Sequence, residues 1–106
     1  MWEEIAPGEF ITLLSNDALE TTQIIDVREK HEWDYYHLEE STLLPMNEIP
    51  SKLHLLRTDK PLYIVCAHGV RSAVVCNYLQ EKGYDNLRNV SGGMAAIADL
   101  QGFAYD

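Results

Sequence analysis

Cysteine is scarce in this chain, and its spacing excludes two structural roles that cysteines often take. The 106 residues include two cysteines, Cys66 and Cys76. Two cysteines are too few for a disulfide framework, and no C-x-x-C or H-x-x-x-H pair is present to suggest structural zinc. We therefore predict no metal, no cofactor and no disulfide. We also predict a cytoplasmic location, because reducing compartments keep thiols free.

Basic residues are also few. Eight lysines and arginines stand against 17 aspartates and glutamates, which gives a formal net charge of -9. Such a charge repels phosphates, so neither nucleic acid nor an anionic membrane is an expected partner. A protein partner with a basic surface would be attracted instead.

Long apolar runs and repeats are absent as well. The longest apolar run covers residues 62–67, whereas a membrane-spanning helix needs about 20 residues. The N-terminal stretch M-W-E-E-I is acidic and lacks the apolar core of a signal peptide. The length predicts one domain over residues 1–106.

The remaining pattern alternates short strands with helices. We predict strands at residues 23–27, 42–44, 62–65 and 87–90, and helices at 7–15, 72–82 and 94–100. One or two helical turns are expected at 29–36. A further helix is expected after Asn47, with Ile49, Leu53 and Leu56 on one face. This alternation predicts an α/β fold with a mainly parallel sheet, whose ligands bind beyond the carboxyl ends of the strands.

The most informative stretch is C-A-H-G-V-R-S, residues 66–72, which follows the predicted central strand. Gly69 permits a sharp bend, and a tight loop there directs successive N–H groups inward as an anion nest. The start of the next helix, the charge of Arg71 and a possible charge on His68 all favour a thiolate over a thiol. Cys66 is therefore predicted to be a nucleophile rather than a small core residue.

Other polar residues near the predicted turns remain open to two interpretations. His68 could contact a substrate or simply be exposed to solvent. Asp26 and Arg28 could hold loops together or touch a substrate. Cys76 lies in the middle of a predicted helix and is interpreted as an apolar filler, and His37 is interpreted as structural.

Four segments together resemble a single-domain rhodanese, a sulfurtransferase module. They are I-I-D-V-R-E-K-H-E-W (residues 24–33), H-L-E-E-S-T-L-L-P (37–45), Y-I-V-C-A-H-G-V-R-S-A (63–73) and V-S-G-G-M (90–94). The resemblance implies a rhodanese-like fold, with a five-stranded sheet flanked by helices on both faces. It also implies a persulfide on Cys66, cradled by the backbone of the loop residues Ala67, His68, Gly69, Val70 and Arg71, with Arg71 as the cation.

The function implied is transfer of a sulfane sulfur from a donor to an acceptor. The donor is a small anion such as thiosulfate or a protein persulfide, and the acceptor is cyanide or a thiol, which includes the thiol of a protein. A cysteine-dependent phosphatase or arsenate reductase is the main alternative. Phosphatase loops of this type place five residues between cysteine and arginine, whereas four separate Cys66 from Arg71. A non-catalytic docking or redox-sensing module is the third hypothesis.

Overall fold

A computed structural model describes residues 1–105 and shows one five-stranded sheet. The strands lie in the order β1-β5-β4-β2-β3, and every neighbouring pair is parallel. Their bounds are β1 Glu3–Ile5, β2 Ile24–Asp26, β3 Thr42–Leu43, β4 Leu62–Val65 and β5 Leu87–Val90. The predicted five-stranded α/β sheet is confirmed, and β4 is its central strand.

Four α-helices and three short 3-10 helices connect the strands. The α-helices are α1 Pro7–Ser15, α2 Lys30–Tyr35, α3 Val70–Glu81 and α4 Gly93–Leu100. The 3-10 helices cover Thr21–Gln23, Met46–Ser51 and Leu53–Leu55. Gly83 adopts a φ of 97° just after α3, which ends the helix as its position predicts. No helix within residues 1–105 is both long and apolar enough to cross a bilayer.

The sheet separates two apolar cores because successive strand residues point to opposite faces. Along β4, Leu62 and Ile64 pack into one core, while Tyr63 and Val65 pack into the other. The first core includes α3, through Val75 and Leu79 among others, and the second includes α1 and α4. Burial on both faces explains why β4 reads as a continuous apolar run.

Two local predictions differ from the structure. The sequence pattern does not predict β1, because a three-residue strand with exposed Glu3 and Glu4 shows little apolar alternation. The predicted helix after Asn47 is wrong, since residues 46–55 form two 3-10 helices instead. Pro50 lies inside this segment, and its missing N–H and fixed φ oppose a continuous α-helix.

The parallel arrangement brings three chain turns to the same edge of the sheet. The carboxyl ends of β2, β4 and β5 lead into the turns that begin at Val27, Cys66 and Ser91. The N–H of Val27 donates to the carbonyl of Val65 at 2.9 Å, and the N–H of Met94 donates to the carbonyl of Cys66 at 2.8 Å. This edge is the one at which parallel α/β sheets bind their ligands.

Candidate active site

Cys66 lies immediately after β4, and the loop that follows it surrounds its sulfur with hydrogen-bond donors. Its Sγ accepts hydrogen bonds from the backbone N–H groups of Gly69 at 3.1 Å and Ser72 at 3.3 Å. The Ser72 hydroxyl is 3.2 Å from the same sulfur. The residue is 1% exposed, so its sulfur is enclosed by the loop and the core beneath it.

Three carbonyl groups of the loop are held by donors on α4 and β5. The N–H groups of Met94 and Ala95 donate to the carbonyls of Cys66 at 2.8 Å and Ala67 at 2.9 Å. The Asn89 side chain donates to the carbonyl of Gly69 at 3.3 Å. Peptide bonds in residues 1–105 are trans, so the N–H that follows each carbonyl points the opposite way. The N–H groups of residues 67, 68 and 70 are therefore directed away from α4 and β5.

Gly93 allows α4 to approach the loop this closely. Its φ is 59°, and a Cβ built there would lie 2.3 Å from the carbonyl oxygen of Cys66 and 2.7 Å from the carbonyl carbon of Ala67. The structure places Gly93 as the contact that orients the loop.

Arg71 is the second residue of α3 and is paired with Glu32, which the sequence pattern does not identify. Its Nη1 and Nη2 donate to the two carboxylate oxygens of Glu32 at 2.8 and 2.7 Å. Hydrogen bonding to Arg71 is the main reason that the pKa of Glu32 is lowered to about 2. Glu32 also accepts the N–H of Glu29 at 2.9 Å, so one side chain caps α2 and binds Arg71.

The Arg71–Glu32 pair changes the electrostatics expected of the loop. The sequence analysis counted the positive charge of Arg71 but not the negative charge that opposes it. The E-x-x-E spacing of residues 29–32 signals a helix cap, and nothing in it indicates a contact 39 residues along the chain. The backbone N–H groups are consequently the donors that directly contact the Cys66 sulfur, with the Ser72 hydroxyl beside them.

Asp26 and Arg28 form a buried ion pair that holds chain segments together. Arg28 Nη2 lies 2.8 Å from Asp26 Oδ2, and both side chains are 0% exposed. Arg28 also donates to the carbonyl of Tyr36 at 2.7 Å and to the hydroxyl of Tyr105 at 2.8 Å. Burial is the largest single effect and lowers the pKa of Arg28, but the hydrogen bonds and charges of Asp26 and Tyr105 together outweigh it, so the pKa of Arg28 is raised. The structure supports the loop-holding interpretation of this pair.

His68 and the C-terminal tail form the rim of the loop. The His68 side chain is exposed, and its ring meets the Tyr105 ring edge-on with centroids 6.0 Å apart. The tail carrying Tyr105 received no role in the sequence analysis, because aromatic residues after the last helix show no periodic pattern. His37 is structural as interpreted, since its Nδ1 is 2.6 Å from the carbonyl of Trp33 and the two rings stack.

Cys76 belongs to the core below the loop. It is 0% exposed and packs in the same cluster as Cys66 and Leu79. Burial is the main reason that the pKa of its thiol is raised to about 12, and the charges of Glu4 and Cys66 add to the effect. Both cysteines are free thiols, and residues 1–105 contain no cluster of three or more metal-ligating side chains.

The two thiols are expected to differ sharply in reactivity. With a pKa of about 12, roughly one Cys76 in ten thousand is a thiolate at about pH 8. Iodoacetamide should therefore add one group to the native protein, at Cys66, and add a second only after unfolding. Peptide mapping by mass spectrometry locates the groups, with Cys66→Ser as the control that should take up none. Labelling of Cys76 in the folded protein would contradict this assignment.

Substitution of Gly93 should destabilise the protein more than substitution of a second glycine with positive φ. Gly83 provides the control, because its φ is 97° but no atom lies within 4 Å of its built Cβ. We expect Gly83→Ala to cost about 1–2 kcal/mol of unfolding free energy through backbone strain alone. Gly93→Ala should cost about 3–4 kcal/mol, because the loop must also move. Urea titration measures both, and equal losses would show that the loop contact contributes nothing.

Comparisons of sequence and of structure with known proteins point to the same family. The family model described as a rhodanese-like domain matches residues 7–100. A rhodanese-like domain protein of Staphylococcus aureus superposes with a TM-score of 0.80 at 38% identity, covering 90% of each chain.

Two relatives of similar length carry sulfurtransferase names. YtwF of Bacillus subtilis, whose name classes it only provisionally as a sulfurtransferase, is 39% identical over 76% of this chain and 77% of its own. The thiosulfate sulfurtransferase GlpE of Shewanella oneidensis is 29% identical over 79% of this chain and 83% of its own. The match to the family model and the match in fold agree with the loop around Cys66: this chain belongs to the rhodanese-like domain family.

Proposed function

We propose that this protein is a sulfurtransferase that carries a sulfane sulfur as a persulfide on Cys66. In the first step the Cys66 thiolate attacks the outer sulfur of a donor. The bond between that sulfur and the rest of the donor breaks, and its electron pair leaves with sulfite or a thiolate. The product is a Cys66 persulfide, and no metal or organic cofactor takes part.

In the second step an acceptor thiolate or cyanide attacks the outer sulfur of the persulfide. The bond from this sulfur to Cys66 Sγ breaks, and its electron pair restores the Cys66 thiolate. The acceptor leaves as a new persulfide or as thiocyanate. The Ser72 hydroxyl, 3.2 Å from Sγ, donates a hydrogen bond whenever the cysteine is a thiolate, because a thiolate can only accept.

The observation that carries this proposal is the set of N–H groups around one sulfur. Two backbone N–H groups already contact Sγ, and those of residues 67, 68 and 70 are directed away from α4. The proposed cradle consists of the loop residues Ala67, His68, Gly69, Val70 and Arg71. Such preorganised dipoles stabilise charge that develops on the transferred sulfur. The four residues between Cys66 and Arg71 favour one sulfur over a tetrahedral phosphate, which needs a wider loop.

Charge favours a protein donor or acceptor over a small dianion. The net charge is -9, and Glu32 opposes the charge of Arg71 beside the loop. Both effects slow the approach of thiosulfate, whereas a persulfide on a protein with a basic surface would be attracted. Two unpaired thiols suit a reducing compartment such as the cytoplasm.

Intact-mass spectrometry tests the proposal directly. After incubation with thiosulfate, the protein should gain one sulfur atom, and added cyanide should remove it with formation of thiocyanate. Cys66→Ala should gain no sulfur, while Cys76→Ala should gain it as the wild type does, since Cys76 lies outside the loop.

The same preparation separates the alternatives. Turnover of p-nitrophenyl phosphate that is lost in Cys66→Ser would replace sulfur transfer with the phosphatase hypothesis. A protein that gains no sulfur from thiosulfate or from glutathione persulfide would instead be a docking or redox module.

The Glu32–Arg71 pair should limit the use of thiosulfate. Glu32→Gln keeps an oxygen that can cap α2 but removes the charge that opposes Arg71. We expect the KM for thiosulfate to fall about three- to tenfold, because one nearby negative charge no longer repels the dianion. The change should be the same at pH 6 and pH 9, since a pKa of about 2 keeps Glu32 ionised throughout.

The matched control removes a charge from the same helix without touching the loop. Asp34 is an exposed residue of α2 that pairs with Lys30 at the surface, so Asp34→Asn should change the KM by less than about twofold. A KM for thiosulfate that stays constant or rises in Glu32→Gln would show that Glu32 does not weaken the attraction between Arg71 and thiosulfate.

A further inference from the structure

A recess of about 410 Å3 lies beside the active-site loop, between α4 and the C-terminal tail. Two small residues of α4 and one acid line one side, and three tail residues line the other. The six are Ala95, Ala96, Asp99, Phe103, Ala104 and Tyr105. None of these residues takes part in the sulfur-transfer steps described above.

Two residues that line the recess contact the loop that follows Cys66. The N–H of Ala95 donates to the carbonyl of Ala67 at 2.9 Å, so the α4 side of the recess begins one residue from the cysteine. On the tail side, the Tyr105 ring meets His68 of the loop with centroids 6.0 Å apart. A molecule that fills the recess therefore lies at the rim of the loop.

The tail is held in a defined position. The N–H of Phe103 donates to the carbonyl of Ala98 at 2.8 Å, and its ring lies 4.8 Å from the ring of Tyr36. The Tyr105 hydroxyl accepts a hydrogen bond from Arg28 at 2.8 Å. The charge of Arg28 is compensated by Asp26, so it adds no strong positive field to the recess.

The chemistry of the recess is that of a site for a basic side chain. Asp99 is exposed, and its carboxylate forms no ion pair with any residue between 1 and 105. The guanidinium of Arg28 already lies 5.8 Å from the centroid of the Tyr105 ring. The ring of Phe103 adds a second aromatic surface for a cation, and the methyl groups of Ala95 and Ala96 suit an aliphatic stem. Arginine combines these parts, since its guanidinium binds carboxylates and stacks on rings.

We propose that this recess binds an arginine of the partner protein that gives or takes the sulfur, close to that partner's reacting cysteine. The proposal rests on the proposed function for its biological meaning. The net charge of -9 attracts a partner with a basic surface. The recess then binds one arginine of that partner beside the loop. The partner class is thus a protein or peptide that carries a thiol or persulfide a few residues from an arginine.

Two matched acceptor peptides test the proposal. One is acetyl-Cys-Gly-Arg-amide, and the other replaces arginine with citrulline, which has a similar shape but no charge. The rate constant for discharge of the Cys66 persulfide is measured with each peptide. The ratio of the two is compared between variants, so the intrinsic reactivity of each thiol cancels.

In the wild type we expect the rate constant for discharge by the arginine peptide to be about fivefold higher than that by the citrulline peptide, because Asp99 and the aromatic rings bind the guanidinium. This gain should disappear in Asp99→Asn. The control Asp85→Asn removes the same charge from the exposed turn before β5, at the opposite edge of the sheet, and should keep the gain. Equal ratios in the wild type and in Asp99→Asn would overturn the proposal.

A binding measurement separates failure of the recess from failure of the sulfur-transfer proposal. Cys66→Ser protein labelled with 15N is titrated with acetyl-Ser-Gly-Arg-amide, which cannot react. Amide shifts should concentrate at residues 95–99 and 102–105 and should be much smaller with the citrulline peptide. If the two peptides cause equal shifts, the proposal that the recess binds arginine is overturned. If cyanide releases no sulfur from the wild-type protein, only the proposed sulfur-transfer function is overturned.

Discussion

The hydrogen bonds between the start of α4 and the loop after β4 fix the orientation of the loop that holds Cys66. The N–H groups of Met94 and Ala95 bind the carbonyls of Cys66 and Ala67, and Gly93 makes room for this contact. With these carbonyls engaged, the N–H groups of the same peptides face the other way. The same loop places the N–H groups of Gly69 and Ser72 against the Cys66 sulfur.

This arrangement depends on dipoles more than on net charge. Arg71 is the cation that the loop motif supplies, but Glu32 binds both of its terminal nitrogens. Backbone N–H groups carry no net charge, so they can stabilise a thiolate or persulfide in a protein with a net charge of -9. Under the proposed function, the acidic surface and the paired arginine together favour a partner whose surface charge is positive.

Sequence reasoning succeeded where local signals determine structure. The apolar run of β4, the position of Gly69 and the stop at Gly83 are each encoded within a few residues, and their elements lie within two residues of the prediction. The helix predicted after Asn47 failed because apolar spacing was given more weight than Pro50. The roles of Cys66 and the loop residues remain predictions, now with a geometry that can be tested.

Contacts between distant segments account for what the sequence did not reveal. Glu32 reaches Arg71 across 39 residues, and Tyr105 reaches Arg28 across 77. A single sequence shows no pairing between such positions. Considered alone, Glu32 is typical of a helix cap and Tyr105 of an exposed aromatic residue. These contacts also lie at the rim of the candidate site.

The central claim is that the loop N–H groups hold the transferred sulfur. The most direct measurement is the 15N–1H spectrum of the protein before and after loading with thiosulfate. The account predicts that the largest amide shifts fall on residues 67–72, that cyanide reverses them, and that Cys66→Ala shows none. Shifts that spare these amides while sulfur is bound, or that persist in Cys66→Ala, would contradict it.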